Sequence, residues 1–484
     1  MEEENGFKKE IKIWDGIMLV AGTMIGSGIF IVSADIARNL GSTGWMMAVW
    51  GLAGLLTIIA ALSYSELTGM YPKAGGQYVF LREAFNPLIS FLYGWTVFLV
   101  IQTGTIAAVA VGFAKFSGVF IPFFSADHLL VSGKYFHIST QQMLAIAVIV
   151  LLTWINSRGV KNGKNIQTYL GSTKILALFV LIGMGFFISN PNALSQNFHN
   201  IWEAKKALVS QTNLLAGREL LSGWNLCVAL CISMVGTMFA MDAWNNITFA
   251  GEEVKNAKKT IGLSMAIGTA LVTLIYMLLN VVYLKNLPLE GSPEGAGVIE
   301  RGIQFAANDR VAVAAAESMS GNFGVMLITL LIIVSTFSCL NGCILSGARV
   351  YFKMADDKLF FKGMNRLNKK GVPEKALIFQ AVWASLLCLS GTYGDLLDYV
   401  VFAVLLFYII TIIGVFVLRK KHPETERPIK AFGYPLLPIL YLIAVTFICV
   451  ILLIYKPENT WPGVIIVALG IPAYYIFRGK KSIL

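Results

Sequence analysis

The sequence predicts an all-α integral membrane protein of about twelve transmembrane helices, and two observations carry that expectation. Of the 484 residues, 56% are hydrophobic and 13% charged, with a mean hydropathy of +0.70. A soluble fold of this length has too little interior to hide so much apolar surface, so lipid is the solvent for most of it. Successive apolar runs are also long enough to cross a bilayer. They fall at 15–38, 44–69, 88–114, 141–157, 167–189, 225–250, 262–284, 322–350, 375–390, 395–418, 434–454 and 461–477.

The first span contains AGTMIGSGIFIV, residues 21–32, with Gly26 and Gly28 flanking Ser27. Glycine in a helix interior loosens the backbone, so a break is predicted there. Spans 2 and 3 are joined by YPKAGGQY (71–78), a turn-forming connection to which no binding role is assigned. Span 5 carries Lys174 about eight residues, roughly 12 Å, into its helix. Snorkelling of the ammonium to the membrane surface is feasible from there, yet an intramembrane lysine is a functional candidate by default. Span 6 runs into MVGTMFAMDAWNNITFAGEEVKN, residues 234–256, which places Asp242, Asn245 and Asn246 in an otherwise apolar segment. Glu252 and Glu253 follow beside Lys255, Lys258 and Lys259 and read as a solvated charged cap, with a gate as the second reading.

The chain opens MEEENGFKKE, an acidic start with no small-residue cleavage site after the first apolar run, so no cleaved signal peptide is expected. The net charge of +11 resolves by topology rather than by nucleic-acid binding. On the side shared with the N-terminus the loops hold 27 Lys and Arg, against 10 on the other side. That bias predicts a multi-pass protein of the plasma (inner) membrane with both termini in the cytoplasm. All six cysteines fall within spans, and the four histidines lie in loops without metal-ligand spacing. Neither a structural disulfide nor a metal or other cofactor is expected.

Non-helical backbone at membrane depth leaves amides and carbonyls that lipid cannot satisfy, so it survives only inside protein or along a cavity. For Gly26 and Gly28 alone, close helix packing is an equally good reading. The second segment shifts the balance, because an aspartate at mid-span faces a cavity or a partner. Both segments start alike, Gly22-Thr23-Met24 and Gly236-Thr237-Met238. Five crossings separate them, which inverts the second set relative to the first. Interrupted helices at matching positions of two inverted halves point to a secondary transporter's substrate site.

The landmarks GTMIGSGIF, SYSELTGMYPKAGGQYVFLREAF (63–85), INSRGVKNGKNIQTYLGSTKILAL (155–178), WNNITFAGEEVKNAKKTI (244–261), NGCILSGARVYFKMADDKLFF (341–361) and RPIKAFGYPLLPILYL (427–442) occur in order along nearly the whole chain. With them the sequence resembles the amino acid–polyamine–organocation superfamily, in its L-amino acid transporter branch and of the bacterial permease type. The resemblance implies a LeuT-like 5+5 inverted repeat with broken helices 1 and 6. Here the repeats are 15–189 and 225–418, after a cytoplasmic N-terminus (1–14). An exterior loop (190–224) separates them, and a cytoplasmic loop (419–433), two peripheral helices (434–477) and a cytoplasmic C-terminus (478–484) follow.

The implied activity is sodium-independent exchange of L-amino acids, small or neutral ones first, by alternating access. A proton-coupled antiporter of polyamines or cationic amino acids is the alternative. A broken helix offers free amides and a positive dipole end to a carboxylate, and carbonyls to an ammonium. The substrate carboxylate is thus expected on the amides and hydroxyl around Ser27, Gly28 and Ile29, with Gly26 letting the chain approach. The ammonium is expected on carbonyls of Thr23, Met24, Phe239 and Ala240. On this reading the glycines expose backbone rather than pack helices.

By the resemblance, Phe239 covers bound substrate from outside, Asp242 and Asn245 line the side-chain pocket, and Lys174 stands where related transporters hold sodium. Its neighbours are expected to be backbone near Gly26 and Ser338 in the eighth span; family members often have a serine one position later, where this chain has Cys339. Asp242 also departs from the small or neutral residue frequent there, which makes it a selectivity residue or a proton carrier. A channel has no need of two breaks with opposed dipoles. An enzyme needs paired catalytic groups, and only Asp242 lies deep. The exterior loop between spans 3 and 4 has no cysteine, so no disulfide-linked heavy subunit is expected beside the bilayer and the amino acid substrate.

Overall fold

The computed structural model describes residues 9–132, 137–210, 214–390 and 393–479. The outer parts of the expected cytoplasmic tails, 1–8 and 480–484, lie outside the described residues. Helices α1 (Ile13–Met24) and α2 (Gly28–Leu40) form the first span, bent by 41° at the intervening residues. Ser42 caps α3 (Thr43–Met70) by accepting a hydrogen bond from Trp45 N, and the short α4 (Gln77–Ala84) follows. Asn86 and Pro87 start α5 (Pro87–Thr96), which passes through a π-turn at Val97–Ile101 into α6 (Gln102–Phe120).

A capping box of Ser139 and Gln142 starts α7 (Thr140–Ser157), which leads to α8 (Val160–Phe187) and the short α9 (Pro191–Asn197). The sixth span is α10 (Gly223–Ala240), a break, and a single turn of α11 (Asn246–Phe249). Beyond it come α12 (Ala257–Asn286), α13 (Val298–Arg301), α14 (Val311–Asp356), α15 (Glu374–Cys388), α16 (Tyr393–Lys421), α17 (Leu436–Tyr455) and α18 (Pro457–Gly479).

Among the described residues ten helices are long and apolar enough to cross a membrane, and α1 with α2 makes an eleventh as a bent pair. The expected span at 375–390 is α15, whose 15 residues cover about 22 Å. Leu389 and Ser390 fall outside it because their amides bond three residues back, to Leu386 O and Leu387 O, and tighten the end into a turn. Helix α14 is kinked at Ser320 and Gly321, where Gly321 takes φ of +59°, just before the eighth expected span begins. Two small antiparallel hairpins, β1 (Leu129–Ser132) with β2 (His137–Ser139) and β3 (Lys205–Val209) with β4 (Leu215–Leu220), sit in the connections after α6 and α9. An all-helical reading missed them because they are short strands in the connections, outside the long apolar runs that mark the spans.

Helix α1 packs on α12, α8 and α14, while α2 packs on α10, so both breaks lie at the centre of the bundle. Helices α17 and α18 form a flank against α16, and their outward Ile443, Ile465 and Ile476 are exposed. Buried Glu66 of α3 ties down the connection between α16 and α17. Its carboxylate accepts two bonds from Arg419, at 2.9 and 2.6 Å, and one from Ala431 N at 2.7 Å, and Arg427 is 3.2 Å away. The expected cytoplasmic loop 419–433 is therefore clamped to the bundle by ion pairs that a burial-blind reading of its charges treats as solvated.

Candidate functional site

The last carbonyls of a helix have no intrahelical partner, and at the end of α1 each of four finds one on another helix. Lys174 of α8 donates to Gly22 O at 2.6 Å and Ile25 O at 2.9 Å, and reaches Ser335 O at 3.4 Å. Ser335 Oγ also donates to Ile25 O at 2.9 Å. Cys339 Sγ donates to Thr23 O at 2.9 Å, and Tyr276 OH to Met24 O at 3.0 Å. Lys174 is 2% exposed and stands fourteen residues after the first residue of α8, because that helix starts earlier than the apolar run suggests. The ammonium thus spends its three protons on backbone oxygens rather than snorkelling. Ser338, the expected neighbour, is elsewhere: its hydroxyl faces Gln167 Oε1 at 3.5 Å, and Ser335, one turn earlier on α14, takes the place beside the lysine.

The two breaks are joined directly. Tyr276 OH lies 3.1 Å from Ala240 O as well as on Met24 O, and Thr23 Oγ1 lies 3.0 Å from Ala243 O. Phe239 O accepts from Asp242 N at 3.0 Å, where α10 gives way to the break. Ala243 turns the chain with φ of +65°, a left-handed conformation that strains a residue with a Cβ. A Cβ on Gly28 would sit 2.7 Å from that of Ala240, so at Gly28 the structure uses close packing. Gly26 lies in the break itself, and a Cβ there would be 3.0 Å from Cys339 Sγ. Ser27, Ile29 and Phe239 are buried around this junction.

Beside the second break lies a cavity of about 20 Å³ lined by Gln77, Gln102, Thr105, Asp242, Asn245, Asn246 and Tyr408, together with Val97 and Ile101 of the π-turn. A second void of about 10 Å³ touches the other side of Asp242, against Thr57, Trp244 and Tyr441. Asp242 Oδ1 accepts a 2.5 Å hydrogen bond from Tyr408 OH, and Asn245 Nδ2 donates to Gln77 Oε1 at 3.0 Å. Residues 23–29 line neither void. A volume of about 20 Å³ admits water and no amino acid, so admitting one requires the walls of the cavity to part.

On the side of the N-terminus the centre is closed by three strands of contact. Glu10 N and Ile11 N bond to Glu253 O at 2.9 and 3.0 Å, and Lys255 N to Ile11 O at 2.8 Å. Gly75 N bonds to Phe249 O at 3.1 Å, and the exposed Glu252 accepts from Ala74 N at 3.2 Å. Gly76, with φ of +45°, lies so close to Thr248 that a Cβ would overlap its hydroxyl. Glu253 is no solvated cap. It pairs with Arg349 Nε of α14 at 3.0 Å, with side chains 2% and 1% exposed. Sequence reasoning missed Arg349, Tyr276, Tyr408, Gln77 and Gln102, since each lies far in sequence from the two breaks at 25–27 and 241–245 or on another element, and is brought to the centre by helix packing.

The sequence pattern of the amino acid permease family matches residues 11–476. The chain is 27% identical over 478 residues to the cystine/glutamate transporter of Homo sapiens, covering 98% of this chain and 86% of that one. It is 28% identical to the b(0,+)-type amino acid transporter 1 of Mus musculus over 475 residues, with 97% and 88% covered. The large neutral amino acids transporter small subunit 2 of Homo sapiens is 29% identical over 479 residues, with 97% and 80% covered. With a pattern match across the whole helical bundle, the chain belongs to the amino acid permease family of the amino acid–polyamine–organocation superfamily, whose members carry amino acids across membranes.

Proposed function

We propose that the protein is a sodium-independent exchanger of L-amino acids that works by alternating access, small or neutral side chains being its main substrates. The observation that carries this reading is the Lys174 ammonium on Gly22 O and Ile25 O. A fixed cation on the carbonyl end of a broken helix supplies the charge that a bound sodium ion would otherwise bring, without a gradient. The halves 15–189 and 225–418 then act as inverted repeats. The substrate carboxylate meets the amides of Ser27, Gly28 and Ile29 at the positive end of α2. Its ammonium competes with Tyr276 for Met24 O and Ala240 O, and Phe239 covers it. Asp242 and Asn245 face its side chain.

A second reading rests on Asp242, a deep carboxylate at the cavity wall whose hydrogen-bonding partner there is the neutral Tyr408. An uncompensated carboxylate favours a cationic side chain or a polyamine, or carries a proton. The protein is further proposed to act without a disulfide-linked heavy subunit, in the inner membrane with both termini cytoplasmic. Uptake of labelled amino acids into proteoliposomes with sodium replaced by choline tests the main reading. Undiminished exchange supports it, and collapse of uptake refutes it. Counterflow with a panel of neutral, acidic and basic amino acids and putrescine separates the two substrate classes.

A further inference from the structure

We propose that Cys339 and Cys343 form a dithiol site for trivalent arsenicals, and that its occupation and transport exclude each other. The two residues stand four apart on α14, on one face of the helix, where side chains one turn apart are neighbours with Cβ atoms about 5–6 Å apart. Both are buried. Each also touches one of the breaks: Cys339 Sγ donates to Thr23 O at 2.9 Å, and Asn246 Nδ2 reaches Cys343 Sγ at 3.9 Å. Asn246 lines the central cavity, as does Gln102, whose amide donates to Cys343 O at 2.8 Å. On the other side Gly26 presents bare backbone to Cys339, with no side chain between sulfur and the break. The pair therefore lies one residue layer behind the cavity wall, at the seam that has to part for an amino acid to enter.

Arsenic(III) is thiophilic and three-coordinate, so two sulfurs one helical turn apart suit it as a chelate. An organoarsenous acid, R–As(OH)2, reacts with both thiols to give R–As(S–)2. Two As–S bonds form and two As–O bonds break, both thiol protons leave with the hydroxyls as two waters, and arsenic stays trivalent. The product removes the Cys339 proton from Thr23 O and sets the aryl or alkyl group against Gly26, where the breaks close in the observed arrangement. Closure is then blocked, and conversely the closed seam shields the thiols.

The other four cysteines provide the control, since Cys227 and Cys231 on α10 also stand four apart and Cys388 and Cys449 are separate. The test uses phenylarsine oxide on the full-length protein. Intact-mass measurement in detergent reads binding independently of transport, and exchange in proteoliposomes, relative to each variant's own untreated rate, reads the consequence. A variant with Cys227, Cys231, Cys388 and Cys449 replaced by serine is expected to keep one arsenical per chain and the loss of exchange. Both effects should reverse with a small dithiol and not with a monothiol. In that four-serine background, Cys343→Ser and Cys339→Ser are each expected to lose the adduct. Saturating amino acid substrate is expected to slow adduct formation. An adduct that survives Cys339→Ser and Cys343→Ser in the four-serine background, or is missing from the four-serine variant itself, overturns the site. An adduct at Cys339 and Cys343 that leaves exchange unchanged overturns the exclusion from transport. Mass readout without any substrate keeps failure of this site separable from failure of the proposed transport function.

Discussion

Lys174 and Ser335 converge on Ile25 O, and their removal leaves buried carbonyls without donors. An unsatisfied buried acceptor costs about 1–3 kcal/mol. Lys174→Ala is expected to abolish exchange in proteoliposomes and to lower thermal stability in detergent. Ser335→Ala should slow exchange more than Ser338→Ala, because the Ser338 bond to Gln167 is 3.5 Å long and touches no broken-helix carbonyl. Equal effects of the two serines count against the geometry at Lys174. At Asp242, two variants divide the substrate readings. Asp242→Asn should leave small neutral substrates moving and remove lysine or putrescine uptake if the carboxylate pairs with a cationic side chain. Tyr408→Phe, which removes the 2.5 Å bond to Asp242, should strengthen cation selectivity by freeing the carboxylate. Substrate profiles matching the wild type for both leave Asp242 without a recognition role. Lys174 and Asp242 stand out in the sequence because a charge in an apolar run is anomalous. Tyr276 and Tyr408 do not, since a tyrosine among aromatics carries no signal until the fold aims its hydroxyl.

Helices α2 and α10 meet where Gly28 faces Ala240, and a methyl added to Gly28 overlaps the one already there. Overpacking of this kind costs about 1–3 kcal/mol when the backbone has to shift. Gly28→Ala is expected to impair closure and slow exchange, and Ala240→Gly in the same chain to restore it by making room. Failure of the double variant to recover, at equal expression and with a native elution profile, shows that a side chain at Gly28 obstructs more than the contact with Ala240. At the end of α10, Phe239→Ala should reduce exchange more than it weakens binding, because covering the substrate is the step that commits it. Elements of this kind were legible in outline. Two glycines about a serine marked the first break, and Asp242 with two asparagines marked the second. Their partner was not legible, because contact between Gly28 and Ala240 spans more than two hundred residues of sequence.

Across the whole molecule, the N-terminal segment, the turn at 73–76, the stretch after α11 and Arg349 of α14 shut one face of the bundle. The Glu253–Arg349 pair at its centre is almost fully enclosed. Breaking such a pair by removing one partner costs about 3–5 kcal/mol, while replacing both by apolar groups is often neutral. Glu253→Gln and Arg349→Met are each expected to lower the midpoint of thermal unfolding in detergent and to bias the transporter towards opening on that face. Glu253→Leu combined with Arg349→Met should recover the midpoint without recovering exchange. A double variant as unstable as the singles argues that the pair is not isolated from water.

The sequence by itself determined the solvent, the helical class, the order of spans and the places where two of them break. Each follows from the chemistry of short stretches: apolar runs need lipid, and glycines or buried polar groups interrupt helices in it. Tertiary structure alone decided which donors serve the carbonyls from Gly22 to Ile25, that Ser335 rather than Ser338 stands by Lys174, and that Glu253 is buried against Arg349. It also decided that the Lys174 ammonium turns inward to Gly22 O and Ile25 O instead of snorkelling. Those outcomes depend on which faces of distant helices meet. Hydropathy averages over the faces of a helix, so the sequence signal that finds a span is blind to the direction in which its polar atoms point.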